Sequence, residues 1–130
     1  MSIYMKNLPS ADEIVLDSDT VYETFSVIKL AIAAELVHQV ESSMLSLSDR
    51  ITTKAGERYP QVSALEPGLN PAVKDLLTLM IIVSDNEAID LLAEKVGRAN
   101  VTNYMHSLGL TKTSIQFSDL DWHRTWLGRP

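Results

Sequence analysis

Residues 76–97 read LLTLMIIVSDNEAIDLLAEKVG, an apolar run that stops at a short polar stretch and then resumes. The polar stretch is Ser84, Asp85 and Asn86. All three residue types are favoured at the N-cap of a helix, so one interpretation is a helix end followed by the cap of the next helix. The other is that a short loop between two core helices presents hydroxyl and amide groups to a cleft. Both interpretations predict two buried helices joined by this loop.

The composition indicates one folded domain. The chain has 130 residues, of which 45% are hydrophobic, enough for a buried core. Its net charge of −6, with no cluster of Lys or Arg, argues against binding to nucleic acid or to an anionic membrane surface. Because cysteine is absent, disulfides, thiolate metal sites and a cysteine nucleophile are excluded.

No stretch of the sequence predicts a membrane anchor or an export signal. The longest uncharged apolar run, Leu76–Val83, is too short to span a bilayer, so we expect no membrane span. The N-terminus lacks a basic stretch followed by an apolar one, so no signal peptide is expected in this chain. The compartment in which the protein resides stays open.

The first forty residues predict a β-hairpin followed by a central helix. Apolar alternation in Ser2–Leu8 and Glu13–Asp17 indicates two short strands around a turn. Thr24–Val40 predicts a helix with Thr24 as its N-cap. The apolar residues of this helix lie on every side, which is typical of a helix that is buried all round.

Further helices are predicted after a long connection rich in Ser and Thr. Asn70 as N-cap and Pro71 at the first helical position predict a helix that runs to Val83. Glycines then predict the ends of two more helices. These are Glu87–Val96, ended by Gly97, and Val101–Leu108, closed by Gly109.

These elements predict a mainly α fold with an N-terminal β-hairpin, in a single domain of residues 1–130. Residues 1–22 form the hairpin and its connection, and residues 23–110 form the helical region. Residues 111–130 have no clear period and are predicted to be loop.

One charged residue interrupts the first helix. Lys29 is the only charge between Glu23 and Glu35. In the simpler interpretation its side chain extends along the helix to reach solvent. In the functional interpretation a lysine in a dry site loses affinity for its own proton and can take the proton of Ser26, three residues earlier on the same face. Ser26 also falls in the first helical turn, where the helix dipole stabilises negative charge.

The two polar motifs become informative together. The S-x-x-K motif alone is weak evidence for a catalytic site, and helix capping alone would explain the S-D-N motif. Ser26 and Ser84 are 58 positions apart, however, and each lies beside a strongly apolar helix, which would let both face one cleft. The histidines show no metal-ligand spacing, so no metal site is expected. They are His38, His106 and His123.

The sequence resembles the class A serine β-lactamases and their penicillin-recognising relatives over almost its whole length. FSVIKLAI (25–32) is similar to the family's nucleophile helix, LSLSDRIT (45–52) to the segment that follows it, and residues 65–97 to the helix–loop–helix around the second motif. The order S-x-x-K and then S-D-N is the family's own pairing. The resemblance implies that Ser84–Asn86 is the motif loop and that the chain carries part of the α+β β-lactamase/transpeptidase-like fold.

The resemblance also assigns catalytic roles. Ser26 matches the acylated serine, and Lys29 matches the lysine beside it, a proposed base in acylation. Ser84 matches the serine that relays a proton to the leaving nitrogen. Asn86 matches the amide that binds the carbonyl of the substrate's side chain.

Two other residues receive less direct roles. Asp85 would hold the motif loop in place. Tyr59 lies in a region that borders the cleft in the family, so it would be a wall residue of the substrate site. Packing in the core or on the surface is the alternative for Tyr59.

The sequence departs from the family pattern in its later part. It contains no Lys-Thr/Ser-Gly motif, which in the family supplies an oxyanion-hole N–H and a cation from a strand, so we expect a fold without the C-terminal sheet strands. Residues 111–130 match the family's omega-loop region but contain no glutamate for deacylation. The titratable stand-ins there are Asp119, Asp121 and His123.

We therefore expect a β-lactamase-like serine hydrolase that acts on a β-lactam or peptide-like amide without metal or cofactor. The isolated chain is expected to be weakly active or inactive. The missing glutamate keeps open a penicillin-binding peptidase or an esterase-like relative. A non-catalytic binding or assembly module also stays open, in which exposed strand edges would pair two copies of the chain. Proteins of this family are usually exported.

Overall fold

The computed structural model describes residues 2–18, 20–53 and 63–115. The first element along the chain is a two-stranded sheet. It is followed by a 3₁₀ turn at Phe25–Val27, which leads directly into the first of four helices in the described ranges. The strands are β1 (Ile3–Lys6) and β2 (Glu13–Leu16), and the helices are α1 (Ile28–Glu41), α2 (Val73–Ile82), α3 (Asn86–Val96) and α4 (Arg98–Ser107). The predicted mainly α fold with an N-terminal hairpin is confirmed.

The strands form an antiparallel ribbon in which Ile3 lies opposite Leu16 and Lys6 lies opposite Glu13. Apolar side chains on both faces of this ribbon are exposed. Within the described ranges neither strand contacts a helix. An isolated two-stranded hairpin is marginally stable in water, so the ribbon depends on its own cross-strand pairs.

The helices pack around α1, which contacts α2, α3 and α4. Each helix contributes side chains that are fully enclosed. The largest of them are Ile32 and Leu36 of α1, Val73, Leu76 and Met80 of α2, Leu92 and Val96 of α3, and Val101 of α4. Because the core is shared by all four helices, the loops at their ends are held in fixed relative positions. None of the helices in the described ranges is long and apolar enough to cross a bilayer.

The start of the first helix differs from the prediction. Thr24 makes no side-chain capping hydrogen bond, and the chain enters α1 through the 3₁₀ turn Phe25–Val27. Phe25 has a φ of +46°, in the left-handed region, which an α-helix cannot accommodate. The first turn is therefore a tighter 3₁₀ turn, in which the N–H of Val27 donates to the carbonyl of Thr24 at 2.8 Å.

The expectation that α1 is buried all round is wrong. Leu30 is 64% exposed, and Val37 is exposed on the same helix. The buried side of α1 instead includes Glu35 and Gln39. These polar groups are satisfied internally, because the Gln39 amide donates to Glu35 Oε1 at 2.6 Å and to the carbonyl of Val96 at 2.7 Å.

Helix α2 starts later than predicted, with Ala72 rather than Asn70 as its N-cap. The preceding residues pair with the segment around Arg50. The guanidinium of Arg50 donates to the carbonyl of Asn70 at 2.6 Å, and the N–H of Ile51 donates to the carbonyl of Pro71 at 3.1 Å. These tertiary bonds hold Asn70 and Pro71 out of the helix.

The predicted helix end at Gly109 is confirmed. Gly109 has a φ of +88°, a conformation that glycine adopts without steric cost. Its N–H donates to the carbonyl of His106 at 3.0 Å, and the N–H of Leu110 donates to that of Met105 at 3.0 Å. This pair of bonds is the Schellman arrangement, and it satisfies the last carbonyls of α4.

We expect Leu36→Ala to lower the free energy of unfolding by about 2–5 kcal/mol, because Leu36 is fully enclosed and its truncation leaves a cavity. Leu30→Ala removes the same atoms from the exposed face of the same helix and should cost less than about 1 kcal/mol. Urea unfolding followed by circular dichroism measures both. Equal losses in the two variants would contradict the assignment of the buried face.

Candidate active site

Three side chains from the two sequence motifs converge at one end of the helical core. Ser26 lies in the 3₁₀ turn, Lys29 in the first turn of α1, and Ser84 in the loop between α2 and α3. The hydroxyl oxygens of Ser26 and Ser84 are 3.3 Å apart. Lys29 Nζ donates to the carbonyl of Ser84 at 2.9 Å and also to the hydroxyl of Ser84. The hydroxyl of Ser84 therefore stands between Ser26 and Lys29.

The order of these contacts differs from the one that helical spacing predicts. Ser26 and Lys29 were expected to meet directly on one helix face, yet among the described residues no hydrogen bond joins them. Ser26 belongs to a 3₁₀ turn and Lys29 to an α-helix, and the change of pitch between them alters the face on which each side chain lies. The hydrogen-bonded path from Ser26 to Lys29 runs through Ser84.

Both serines are positioned by strained backbone. Phe25, which precedes Ser26, has a φ of +46°, and Ser84 has a φ of +61°. A non-glycine residue in the left-handed region costs on the order of 1–3 kcal/mol and persists where surrounding structure imposes it. At Ser84 that structure includes the bond from Lys29 to its carbonyl and a bond from the N–H of Asp85 to the carbonyl of Leu79 at 3.2 Å. No local sequence signal indicates this conformation.

The surroundings of Lys29 lower its affinity for a proton. Lys29 is only 4% exposed, and this burial lowers its pKa below the ordinary value for lysine. The negative charge of Asp85 acts in the opposite direction and raises the pKa of Lys29, but it is the smaller effect. A lysine that is more readily deprotonated can accept a proton from a hydroxyl.

Asp85 anchors the motif loop. Its carboxylate is 1% exposed and caps α3 by accepting from the N–H of Ala88 at 2.9 Å. It also accepts from the N–H of Ala64 at 2.6 Å and from the hydroxyl of Ser63 at 3.2 Å. The structure thus agrees with the role in holding the loop that the resemblance implies. The contribution of Ser63, in the long Ser- and Thr-rich connection, has no sequence signal.

Of the remaining predicted site residues, the structure describes only Asn86. Asn86 is the first residue of α3 and is half-buried beside Ser84 in the chain. Tyr59 lies outside the described residues, as do Asp119, Asp121 and His123. In the part of the chain that is described, no three carboxylate, imidazole or thiol side chains cluster as metal ligands would.

We expect the pKa of Lys29 to lie below the ordinary value for lysine, because burial disfavours its charged form. Asp85→Asn should lower the pKa of Lys29 further, since it removes the charge that stabilises the ammonium. Asp75→Asn is the matched control, because Asp75 accepts from a helix N-terminal N–H at Ala72 without being a cause of the shift at Lys29. NMR titration of the lysine side chains measures all three. A rise in the pKa of Lys29 in Asp85→Asn would contradict this account.

Similar proteins are found both among sequences and among solved structures. Residues 1–125 match the family model described as the Beta-lactamase enzyme family. The extended-spectrum beta-lactamase PER-1 of Pseudomonas aeruginosa is 30% identical over 105 residues, which are 75% of this chain and 34% of PER-1.

Two solved structures share the fold closely. PBP-A is 26% identical, with a TM-score of 0.81 over 96% of this chain and 49% of that chain. A β-lactamase from Chitinophaga pinensis is 27% identical, with a TM-score of 0.81 over 91% of this chain and 46% of that chain. This chain therefore spans about a third of PER-1 and about half of the two solved relatives. Because the family match extends over nearly the whole sequence and the solved relatives share its fold, the chain belongs to the Beta-lactamase enzyme family.

Proposed function

We propose that the protein is a serine hydrolase of the β-lactamase type, which opens a β-lactam amide through an acyl-enzyme on Ser26. The observation that carries this proposal is the hydrogen-bonded line from Ser26 Oγ through Ser84 Oγ to Lys29 Nζ. A variant of PBP-A is described as an acyl-enzyme complex with penicillin G, and PER-1 is named as a β-lactamase, which supports the same chemistry here.

The acylation step uses each of the three residues. The hydroxyl oxygen of Ser26 attacks the lactam carbonyl carbon, and the proton of Ser26 passes to Ser84 while the proton of Ser84 passes to the neutral amine of Lys29. The bond from the carbonyl carbon to the lactam nitrogen then breaks. Lys29 then returns a proton to the hydroxyl of Ser84, and that hydroxyl donates its own proton to the nitrogen. Atoms and charge balance, because one proton moves in total from the oxygen of Ser26 to the lactam nitrogen.

Two further features favour this assignment. Ser26 precedes α1, so the positive end of the helix dipole is directed at the oxygen on which negative charge develops. The amide of Asn86 follows Ser84 by two residues and makes no side-chain hydrogen bond to another residue in the described ranges. In this proposal it binds the side-chain carbonyl of the substrate.

A second candidate function is that of a penicillin-binding protein, in which the acyl-enzyme persists. The similarity to PBP-A, at the same TM-score as the similarity to a β-lactamase, favours it. Both functions share the acylation of Ser26 and differ in the rate at which water removes the acyl group. The lifetime of the adduct therefore separates them.

We expect benzylpenicillin to add its whole mass to the chain at Ser26, because the opened ring keeps its nitrogen attached to the acyl group. Intact-mass spectrometry followed by peptide mapping measures this addition. Ser26→Ala should abolish the adduct, and Ser48→Ala, which removes an exposed hydroxyl from a loop, should retain it. Labelling that survives in Ser26→Ala, or an unlabelled wild-type chain that also leaves the penicillin intact, would contradict the proposal.

We expect Ser84→Ala to slow adduct formation by about a hundredfold or more, because it interrupts the path between Ser26 and Lys29. Mass spectrometry of samples that are quenched at successive times, at equal penicillin concentration for the two proteins, gives the ratio of their rates of adduct formation. If the variant reacts as fast as the wild type, Lys29 takes the proton of Ser26 by another route, and the relay through Ser84 is wrong.

A further inference from the structure

We propose that Ser63 is a positioning residue, whose hydroxyl fixes the motif loop by bridging the carboxylates of Asp85 and Glu87. Its effect on catalysis rests on the function proposed above. Among the described residues Ser63 makes no hydrogen bond with Ser26 or Lys29, so it would act on the reaction only through the loop. Its effect on the loop does not depend on that function and can be measured separately.

The hydroxyl of Ser63 is fully engaged. Its oxygen lies 3.2 Å from Asp85 Oδ1 and 3.2 Å from Glu87 Oε2. The same oxygen accepts from the N–H of Leu65 at 3.1 Å. One hydroxyl proton is therefore shared between two carboxylates, and the backbone of Leu65 fixes the direction in which the hydroxyl points.

A second bond beside it makes the attachment rigid. The N–H of Ala64 donates to Asp85 Oδ2 at 2.6 Å, so adjacent residues hold both oxygens of the same carboxylate. With the capping bond from Ala88, the carboxylate of Asp85 cannot rotate without breaking a hydrogen bond. Residues 63–65 and the start of α3 are joined through this one side chain.

The positions of the two carboxylates explain why the bridge matters for the site. Asp85 and Glu87 flank Asn86 in the chain, and Asp85 directly follows Ser84. Two nearby carboxylates repel each other, and a donor that lies between them offsets part of this repulsion. By donating to both, Ser63 holds the backbone on each side of Asn86 and supports the left-handed conformation of Ser84.

Asp85 also links this bridge to the charge of Lys29. Its negative charge raises the pKa of Lys29 against the larger effect of burial. A shift in the position of Asp85 would therefore change both the geometry of Ser84 and the proton affinity of the amine. Ser63 acts on the reaction through these two groups.

Acylation kinetics give the first test. Ser63→Ala should slow the formation of the penicillin adduct about tenfold, as expected for one hydrogen bond to a charged group, and Ser63→Thr should restore the rate to within about threefold by keeping a hydroxyl. Ser48→Ala is the matched control and should react at the wild-type rate. Equal rates for Ser63→Ala and the wild type would overturn the proposal.

Glu87→Gln separates the hydroxyl of Ser63 from the charge of its neighbour. Glutamine keeps an acceptor oxygen for Ser63, so the acylation rate should stay within about threefold of the wild type. If Glu87→Gln loses as much rate as Ser63→Ala, the charge of Glu87 rather than the hydroxyl holds the loop, and the proposal is wrong.

Amide hydrogen exchange gives a readout that needs no reaction. In Ser63→Ala the N–H groups of Ala64 and Ala88 should exchange about tenfold faster, while those of Leu36 in α1 and Met105 in α4 keep the wild-type rate. Faster exchange at all four positions would indicate global destabilisation and overturn the proposal. If the wild-type chain neither forms an adduct nor consumes penicillin, the proposed function fails, and this exchange pattern still decides the role of Ser63.

Discussion

The buried carboxylate of Asp85 is the constraint on which the site depends. A carboxylate removed from water is strongly unfavourable unless each oxygen finds donors. Here the donors come from the segment at residues 63–64 and from the first turn of α3. These parts of the chain are distant in sequence, and satisfying one charge brings them together. The loop that carries Ser84 therefore has a defined shape wherever the helical core is folded.

Lys29 is the second buried ionisable group of the site, and its setting explains the unusual orientation of α1. A helix can turn polar side chains toward a core only if each has a partner there. Lys29 bonds to Ser84, and Gln39 bonds to Glu35 and to the end of α3. The first of these contacts serves the site, and the second joins α1 to α3 farther along the helix. Some apolar residues of α1, such as Leu30 and Val37, therefore lie on the opposite and exposed face.

Much of this arrangement could be predicted from the sequence, and the rest depended on tertiary contacts. Apolar runs and glycine positions predict the helices, and the paired motifs predict that Ser26, Lys29 and Ser84 share one site. The burial of α1 was predicted wrongly because composition does not reveal which side of a helix finds polar partners. The start of α2 was misplaced because Asn70 and Pro71 bond to the segment around Arg50, which local capping rules ignore.

Local sequence rules also could not predict that the hydroxyl of Ser84 lies between Ser26 and Lys29. That position follows from the left-handed backbone at Phe25 and Ser84, and neither residue type indicates such a conformation. Ser63 shows the same limit, because a serine in a long irregular connection has no distinguishing pattern. Its importance follows from which carboxylates lie within hydrogen-bond distance of it.

The separation between the N-terminal ribbon and the helices has a thermodynamic consequence. Cooperative unfolding requires that elements share buried contacts, and within the described ranges β1 and β2 share them only with each other. The ribbon should then melt as an independent unit at lower temperature, with little change in heat capacity. The main calorimetric transition would then not include the ribbon, so its enthalpy per residue, calculated over 130 residues, would fall below that of a globular domain of equal length.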